Sequence, residues 1–451
     1  MKLTALFAMS LLGLTSWAAA DPGSYAVEDL GVLPGDSSSI AFGINQQGDV
    51  VGWSNGAAGT RAFIYTDTGG MVELPGLPER PRTVARDLND LGDVVGTANA
   101  GGVDLGHAVL WTGGAVTDLG TLATGSYSEA WGVNNNGQVV GSSFTNGGSF
   151  GVHGFLYTAA QGMVDLTPES DTGAATDIND AGQVTGYKTA LGGYHAFRWQ
   201  EGTFVDLGVL PGFAHSVGWA LNAAGQVTGN STSASGNSEQ LFRFTDGVGL
   251  QNLGGVGEHN VAFGINSSGT VVGASGRSVT RALLYTDEGG LQDLNTLIDP
   301  SLGWVLLAAT DINDGGEIAG YGFNNFTGLT HAVRLQPASG PPPECTIHCL
   351  RSTDIALRAK ATAGAATVTA KVTVQDENGR PVSQALVVGI WTQPDGTQLN
   401  HNAWTDRRGV ASFATSGPRG STYTLEVVNI VRSLYTFNPS ESVLSRSITV
   451  K

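Results

Sequence analysis

Three aspartates stand two residues before an asparagine and are followed by a second Asp and a Gly, as in the string DINDAG: Asp87, Asp177 and Asp311. Such strings can turn several oxygens inward, as the loops that bind Ca²⁺ do. No acidic residue stands at the distal bidentate position, and sister strings carry Gly or Ala in place of the first Asp. We therefore favour structural turns, with calcium as the alternative and the sole cofactor that the sequence suggests.

Two further polar columns recur at fixed places in the chain. Histidines begin a repeated apolar string at His107, His153, His195 and His331, where Arg61, Gln240 and Arg281 stand in related strings. Acids recur in a second string at Asp29, Glu73, Asp118, Asp165, Asp206 and Asp293, with Asn252 in the remaining copy. The histidines could transfer protons or bind a ligand, and the acids could bind a cation. We favour hydrogen bonding within the backbone framework for both.

Sequence motifs of catalysis give no support to an enzyme. The chain has no H-E-x-x-H, no G-x-S-x-G, no phosphate-binding loop and no dinucleotide fingerprint. The sequence therefore predicts no catalytic residues.

These polar columns belong to one unit that the chain repeats. The string N-x-x-G-x-[VI]-x-G begins at Asn45, Asn89, Asn134, Asn179, Asn222, Asn266 and Asn313, at intervals of 43 to 47 residues. An aliphatic residue precedes each Asn, and a Val or Ile follows it by five residues. Asn favours the start of a type I turn, and the Gly favours the left-handed position of a bulged hairpin loop. The sequence predicts a tight hairpin in each unit.

Each unit has room for four strands, which is typical of one blade of a β-propeller. We therefore predict an all-β fold, with a seven-bladed β-propeller of four-stranded blades over residues 21–335. The seventh unit lacks a fourth strand, and the segment from Tyr25 to Leu30 has no other assignment. This N-terminal segment is expected to pair with the segment from His331 to Leu335 and close the ring.

The repeats resemble those of the HAF-repeat extracellular proteins, named for a His-Ala-Phe string that stands intact at His195-Ala196-Phe197. The resemblance covers residues 27 to 335. It implies export and a propeller-like fold, and it implies no settled activity. Arg61, Arg281 and the Gln240-Leu241 pair depart from the His-Ala pattern. These departures speak against a role that needs a complete ring of histidines.

The N-terminus and the charge indicate where the protein works. Residues 1–20 read as a signal peptide, with an apolar run after Lys2 and small residues before the cleavage site. No later stretch is long and apolar enough to span a bilayer, so we expect an exported, soluble protein that is secreted, periplasmic or at the cell surface. The net charge of −17 argues against binding nucleic acid. The sequence does not indicate an oligomeric state.

Composition changes after Leu335. Residues 336–344 read as a Pro-rich linker, and residues 345–451 contain about seven alternating strand patterns, which predict an immunoglobulin-like β-sandwich. Similar patterns occur in bacterial Ig-like and transthyretin-like modules. Cys345 and Cys349 stand at its entrance. In an exported protein we favour a disulfide between them over a metal site or free thiols.

Aromatic residues occupy a further repeat position, three residues before the Asn: Phe42, Trp131, Trp219 and Phe263. The other three copies have Arg86, Thr176 and Thr310 there, and in those copies an Asp follows. We interpret the aromatic residues as wedges between blades, with sugar platforms as the alternative. The blades therefore come in two kinds.

Strand direction predicts which face of the disc binds a ligand. The N-x-x-G turns lie on one face, and the connections of variable length lie on the other, where binding residues usually reside. Tolerant loops without function are the alternative. The predicted ligand-binding residues on this variable-loop face are Phe144, Phe150, Tyr187, Tyr194, Phe213, His215, His259, Tyr321, Phe323 and Phe326.

Three classes of function are consistent with these observations. The first is an exported, non-catalytic binding protein for an extracellular glycan or protein ligand. The second is a secreted enzyme acting on polysaccharide or another polymer, which carboxylates and histidines from several blades at one channel mouth would favour. The third is a structural component of an extracellular matrix or surface layer.

Overall fold

The computed structural model describes residues 24–101, 106–145, 151–170, 172–257, 259–276, 280–338, 349–362, 365–432, 436–437 and 442–450. The predicted signal peptide lies outside these residues, as does most of the predicted linker. Among the described residues no helix is long and apolar enough to cross a membrane.

Between residues 24 and 337 the described chain forms seven four-stranded antiparallel sheets, which we number in chain order. Sheets 1 to 3 contain, four to a sheet, β2 (Asp36–Ile44), β3 (Val50–Gly56), β4 (Gly59–Thr66), β5 (Gly70–Glu73), β6 (Arg82–Leu88), β7 (Val94–Asn99), β8 (His107–Thr112), β9 (Ala115–Gly120), β10 (Ser128–Val133), β11 (Val139–Phe144), β12 (Val152–Thr158) and β13 (Gly162–Asp165). Sheets 4 to 6 contain β14 (Gly173–Ile178), β15 (Val184–Ala190), β16 (Gly193–Gln200), β17 (Thr203–Gly208), β18 (His215–Leu221), β19 (Val227–Thr232), β20 (Glu239–Thr245), β21 (Gly249–Gly254), β22 (Asn260–Ile265), β23 (Val271–Ser275), β24 (Arg281–Thr286) and β25 (Gly290–Asp293). The fold is β-propeller-like and all-β.

Sheet 7 joins the two ends of the repeat region. It contains β26 (Trp304–Ile312), β27 (Ile318–Asn324), β28 (Leu329–Pro337) and, at its outer edge, β1 (Tyr25–Gly31). Val27 pairs with Leu335 in the antiparallel ladder between β1 and β28. The predicted pairing of the N-terminal segment with the last repeat is therefore confirmed. Two short 3-10 helices, Leu294–Thr296 and Pro300–Leu302, precede sheet 7.

Each N-x-x-G string forms the hairpin between the first two strands of a sheet. In sheet 4, the Asn179 side-chain oxygen accepts hydrogen bonds from the backbone N–H groups of Ala181 and Gln183, at 3.1 and 3.0 Å. The turn glycines all have positive φ, as predicted: Gly48, Gly92, Gly137, Gly182, Gly225, Gly269 and Gly316. The turn therefore follows from the local chemistry of Asn and Gly.

The substitution Gly182→Ala should lower the free energy of unfolding by about 1 kcal/mol, because a left-handed backbone brings a Cβ close to the following carbonyl oxygen. An added Cβ would lie 3.7 Å from the side-chain oxygen of Gln138, so the cost comes from the backbone and not from a clash. Urea denaturation of the mature protein measures it. As a control in the same turn, Ala181→Ser should change stability by less than about 0.5 kcal/mol. A neutral or stabilising effect of Gly182→Ala would contradict the turn geometry.

The last Gly of each N-x-x-G-x-[VI]-x-G string is required by the close approach of two strands and not by a left-handed backbone. At Gly186, an added Cβ would overlap the carbonyl oxygen of Ala174 on the neighbouring first strand. That strand has a bulge between Ala175 and Asp177, which brings its backbone close to the second strand. The same overlap with the first strand occurs at the other six positions: Gly52, Gly96, Gly141, Gly229, Gly273 and Gly320.

Apolar cores lie between neighbouring sheets, one for each of the seven junctions. At the closing junction, Leu30, Ala319 and Ala332 of sheet 7 pack with Val50 and Phe63 of sheet 1. Each sheet therefore stabilises both of its neighbours, and the first and last repeats have no free apolar face at this junction.

A ring of hydrogen bonds runs through the seven turns. The Asn45 side-chain N–H donates to the Asn89 backbone carbonyl at 3.3 Å, and each following turn Asn donates in the same way to the next. The Asn313 side chain donates back to the Asn45 carbonyl at 3.0 Å. The turn asparagines are buried, so each repeat is connected to the next at its innermost turn.

The C-terminal residues form two further four-stranded sheets. Their strands in the described residues are β29 (Cys349–Ala361), β30 (Ala365–Asp376), β31 (Leu386–Thr392), β32 (Gln398–Trp404), β33 (Val410–Pro418), β34 (Thr422–Val431), β35 (Thr436–Phe437) and β36 (Ser445–Thr449). Val372 and Phe413 of one sheet share a core with Trp391 and Tyr423 of the other. Cys349 is disulfide-bonded. Cys345 lies outside the described residues, so its pairing with Cys349 stays a prediction.

Candidate functional site: a central channel and the variable-loop face

The first strands of the seven sheets surround a channel. First strands of successive sheets contact one another, and β2 also contacts β26, so these strands form a closed inner wall. A cavity of about 510 Å³ lies inside it and is lined by residues of all seven first strands. This volume falls within the range of small-molecule sites, about 300–1,000 Å³. The cavity reaches the N-x-x-G turns, where Gln46, Asp90, Asn135 and Asp180 line it.

A layer of aromatic rings and one guanidinium crosses the channel. The Arg86 guanidinium carbon lies 4.6 Å from the ring centroid of Phe42 and 4.6 Å from that of Trp131. Glu129 anchors it: Arg86 Nε donates to the Glu129 carboxylate at 2.8 Å. Tyr127 donates its hydroxyl to the other oxygen of this carboxylate. Arg86 is therefore held by two cation–π contacts and an ion pair.

The aromatic column does not wedge the blades apart, and this part of the sequence interpretation is wrong. Trp131 of sheet 3 contacts Trp219 of sheet 5 at a centroid distance of 6.3 Å, passing over Thr176 of sheet 4. Trp219 in turn contacts Phe263 of sheet 6 at 6.3 Å. These rings lie in the channel because each stands at the bulged position of its first strand, which has no partner on the second strand.

The three aspartates of the DxND strings also face the channel, on the first strands and not in the turns. Asp177 accepts hydrogen bonds from the backbone N–H of Leu221 in the next sheet at 2.8 Å and from its own neighbour Ile178 at 2.7 Å. Asp87 bonds Val133, and Asp311 bonds Ile44, in the same way. The role that we favoured for them, a structural turn, is therefore wrong in its location: the carboxylates connect neighbouring sheets.

This connection explains the two kinds of blade. An added Cβ at Gly132 of sheet 3 would come within 3.0 Å of the Asp177 Cα, so a sheet with Asp needs a small residue in the sheet before it. Gly43 faces Asp87 and Gly264 faces Asp311 in the same way. Sheets 2, 4 and 7 have the Asp. An odd number of sheets cannot alternate strictly, and sheets 5 and 6 are the two neighbours without it.

Burial raises the pKa of these aspartates. The pKa of Asp177 rises to about 6 and that of Asp311 to about 7, in each case chiefly because the carboxyl group is desolvated. The pKa of Asp87 is raised well above its usual value by burial and by the charges of Asp177 and Asp311. Hydrogen bonds from the backbone N–H groups act in the opposite direction.

These shifts predict how stability depends on pH. A folded-state pKa above the unfolded value means that the folded protein binds more protons between about pH 4 and 7, so this contribution to stability grows on acidification and is lost as pH rises through 6 to 7. On acidification from pH 7.5 to pH 5, the melting temperature of the double variant Asp177→Asn, Asp311→Asn should rise less than that of the unsubstituted protein. Scanning calorimetry at both values measures the difference, and equal gains would contradict the burial of ionisable carboxyl groups.

The variable-loop face brings several predicted residues together. The Tyr194 ring stacks on His215 at a centroid distance of 4.5 Å, and Tyr187 contacts Tyr194 at 5.6 Å. Tyr194 donates its backbone N–H to His215 Nδ1 at 3.3 Å. An added Cβ at Gly193 would overlap the His215 ring, so the glycine allows the ring to lie against the backbone. We call Tyr187, Tyr194 and His215 the aromatic stack.

Two acidic side chains lie near this stack, one through Tyr127, which interacts with Tyr187, and one whose charge acts on Tyr194. Glu129 and its partner Tyr127 lie on the side of sheet 3, and Phe144 contacts the Tyr127 ring at 5.1 Å. Glu239 lies 3.4 Å from His259 Nδ1. Burial raises the pKa of Tyr187 and Tyr194, and the charge of Glu239 raises that of Tyr194 further. These phenols therefore remain hydrogen-bond donors at neutral pH.

Other predicted site residues do not join the stack. Phe213 is partly buried and packs against the apolar core between sheets 4 and 5, so it stays a predicted ligand residue outside the stack. Tyr321 lines the channel cavity. Phe326 is 60% exposed and lies against Gly303, in the turn between β27 and β28. Phe323 lies on β27 of sheet 7. Phe150 lies outside the described residues.

The sequence interpretation missed Arg86, Tyr127, Glu129 and Glu239 as site residues. Glu129 stands two residues before Trp131 on β10, but a bulge at Trp131 interrupts strand alternation. Its contact with Arg86 of the neighbouring sheet was therefore not predictable from this spacing. Glu239 is the first residue of β20, and its contact with His259, which precedes the next sheet, is likewise visible only in the folded protein.

The histidine and acid columns pair with each other at the outer edge of the sheets. His153 Nδ1 lies 2.7 Å from Asp165, and Arg61 of sheet 1 lies 2.6 Å from Glu73. The other pairs are His107 with Asp118, His195 with Asp206, Arg281 with Asp293, and His331 with Asp29. Sheet 5 carries Gln240 and Asn252 at these positions. The acids also accept from the following loop, as Asp118 does from the Gly120 N–H at 2.8 Å. The predicted use of the acid column, hydrogen bonding to the following loop, is confirmed. The histidines also have a framework contact, but their partner is the acid side chain and not the backbone that we predicted.

Comparisons with known proteins concern the fold. No protein family and no curated protein matches the chain. A putative gluconolactonase is similar in structure, with a TM-score of 0.34, 11% identity, and coverage of 71% of this chain and 96% of that one. Prolyl oligopeptidase B from Galerina marginata gives 0.37 at 9% identity, covering 74% and 53%. Exo-β-1,3-galactanase from Phanerochaete chrysosporium gives 0.30 at 12% identity, covering 85% and 97%.

Proposed function

We propose that the protein is an exported binding protein in which a seven-bladed β-propeller carries the ligand site. The C-terminal sheets form an immunoglobulin-like sandwich that acts as a spacer or as a second adhesive unit. Support comes from the seven sheets with their closed ring of turn asparagines, and from the signal-like N-terminal sequence. The predicted resemblance to HAF-repeat extracellular proteins is consistent with this assignment.

The ligand that fits best is a glycan on the variable-loop face, and the aromatic stack is the observation that carries this proposal. Its three rings are half-buried, so each offers part of a flat apolar surface with a polar tip, which suits the C–H face of a sugar ring. Glu239, whose charge acts on Tyr194, places a carboxylate acceptor beside it for sugar hydroxyl groups. Specificity then resides in connections of variable length on a constant framework.

A glycan array probed with the mature protein tests this proposal. Bound glycans should lose at least about tenfold in affinity with Tyr194→Ala or His215→Ala, which corresponds to about 1.4 kcal/mol. Leu91→Ala is the matched control, because Leu91 is 72% exposed in a turn on the opposite face. If Leu91→Ala weakens binding and the stack variants do not, the ligand binds the other face.

One observation favours a polysaccharide-active enzyme as a second candidate. Glu129 of sheet 3 and Glu239 and His215 of sheet 5 lie on one face, as does His259 before sheet 6. Two carboxyl groups across a sugar are the usual machinery of glycoside hydrolysis. If the site is catalytic, Glu129→Gln or Glu239→Gln should abolish release of reducing ends from a bound polysaccharide while binding persists. Absence of hydrolysis of every bound glycan by the unsubstituted protein would exclude this candidate.

A further inference from the structure

The channel cavity is separate from the aromatic stack and extends in the opposite direction. Its lining residues run from the N-x-x-G turns to the aromatic layer, whereas Tyr187, Tyr194 and His215 do not line it. Asp180 in the turn lies four residues after the layer position Thr176 on β14, so the two are at most about 13 Å apart at about 3.3 Å per residue. The cavity therefore extends from the turns to an aromatic inner end.

The aromatic inner end of the cavity already contacts one cationic side chain, that of Arg86. Half of the aromatic layer, Phe42 and Trp131, holds the Arg86 guanidinium between two rings. The other half consists of Trp219 and Phe263, 6.3 Å apart between centroids and tilted by 62°. Among the described residues no cationic side chain lies over either of these two rings. Trp219 and Phe263 therefore offer the negative faces of their rings to a cation that enters from the turn side.

The walls and the mouth of the cavity carry carboxylates at two depths. Asp87, Asp177 and Asp311 line its middle, and Asp90 and Asp180 line its mouth. The middle group has charges close enough to interact, since Asp177 and Asp311 both raise the pKa of Asp87. A cation between them would relieve this repulsion.

The remaining titratable groups that line the cavity do not neutralise these acids. Arg86 is committed to Glu129 at 2.7 Å, so this pair has no net charge. Tyr321 lines the wall from β27, and burial raises its pKa, so it is neutral. The charge that the cavity presents is therefore negative at two levels, separated by roughly the length of a short alkyl chain.

We propose that the channel cavity binds a linear alkyl diamine or polyamine in its ammonium form. One ammonium group lies over Trp219 and Phe263 beside the inner aspartates, and the alkyl chain follows the channel. A second ammonium group lies at the mouth beside Asp90 and Asp180. This site is additional to the glycan site on the variable-loop face.

Isothermal titration calorimetry of the mature protein with 1,8-diaminooctane at pH 8 tests the proposal. We expect saturable binding of one diamine per chain. Octylamine should bind at least about tenfold more weakly, because it lacks the second charge, and the uncharged 1,8-octanediol should bind at least about a hundredfold more weakly. Equal binding of the diol, or no saturable binding of the diamine, would overturn the proposal.

Substitutions locate the diamine within the channel. Trp219→Leu should weaken binding about fivefold through loss of the cation–π contact. Asp180→Asn, at the exposed mouth, gives a second variant that does not depend on repacking the layer, and it should weaken the diamine but leave octylamine unchanged. Asp246→Ala is the control, since Asp246 is an exposed partner of Arg198 at the outer rim. If neither Trp219→Leu nor Asp180→Asn weakens binding, the diamine does not occupy the channel.

The pH dependence of diamine binding and the variants of the aromatic stack distinguish the channel site from the glycan site. Binding of the diamine should weaken from pH 8 to pH 5, because Asp177 and Asp311 gain protons in this interval. Tyr194→Ala should leave it unchanged. Diamine binding that depends on Tyr194 would overturn the channel assignment, whereas loss of glycan binding alone would leave it intact.

Discussion

Deletion of residues 21–33 should lower the melting temperature of the repeat region by more than about 10 °C. The deletion removes β1 and exposes the edge of β28 to solvent. It also removes Leu30 and Leu33, both buried in the core between sheets 7 and 1. Loss of a buried Leu side chain alone costs about 2–5 kcal/mol, and 1 kcal/mol corresponds to about 2–4 °C in a domain of this size.

The control for this deletion keeps the strand and removes one exposed side chain. Val72→Ala, on β5 with 52% of its surface exposed, should change the melting temperature by less than about 2 °C. Leu30→Ala should fall between the control and the deletion. A deletion variant that melts with the full-length protein would contradict closure by β1.

Replacement of one turn asparagine should have the largest effect of any single substitution in the turns. Asn179→Ala removes hydrogen bonds from the side chain to Gln183 at 2.8 Å and to the Asn222 carbonyl at 3.0 Å. It also removes the acceptor for the backbone N–H groups of Ala181 and Gln183. At about 1 kcal/mol for each bond, the expected loss is about 3–4 kcal/mol of unfolding free energy.

Gln47→Ala is the matched control for that substitution. Gln47 is exposed at the turn position that Ala181 occupies in sheet 4. Its backbone N–H continues to donate to Asn45, so stability should change by less than about 0.5 kcal/mol. Equal effects of the two substitutions in urea denaturation would contradict the ring of hydrogen bonds between repeats.

The parts of the fold that were predictable from sequence are those with local chemistry. The N-x-x-G turn could be predicted because Asn179 and Gly182 act within one hairpin. Closure by the N-terminal segment could be predicted because counting strands left one sheet incomplete. Both predictions use contacts whose partners are fixed by spacing along the chain.

The contacts that the sequence did not reveal join different repeats. The second role of Asn179, donation to Asn222 in the next sheet, needs the ring to be closed before it can be seen. Asp177 likewise looks like a turn residue in sequence, and only the neighbouring sheet shows that it accepts from Leu221. The pairing of aspartate with glycine across sheets was not visible, because the sequence pattern linked each Asp only to the residue before it in its own repeat.

The residues of the candidate site also differ in how far the sequence could predict their positions. Tyr187, Tyr194 and His215 were predicted because their connections vary in length, and the fold brings them into one stack. Phe213 was predicted on the same grounds, but its ring lies against an apolar core. Sequence alone cannot distinguish an aromatic ring that covers a core from one that faces solvent, because both satisfy the same pattern.

Hydrogen–deuterium exchange of the mature protein tests the closed ring most directly. Peptides covering Tyr25–Gly31 and Leu329–Pro337 report on β1 and β28 separately, by mass spectrometry. If β1 completes sheet 7, its central amides should exchange as slowly as those of β28, because both open only when the sheet does. Exchange of β1 at the rate of an unprotected chain, with β28 still protected, would contradict the account.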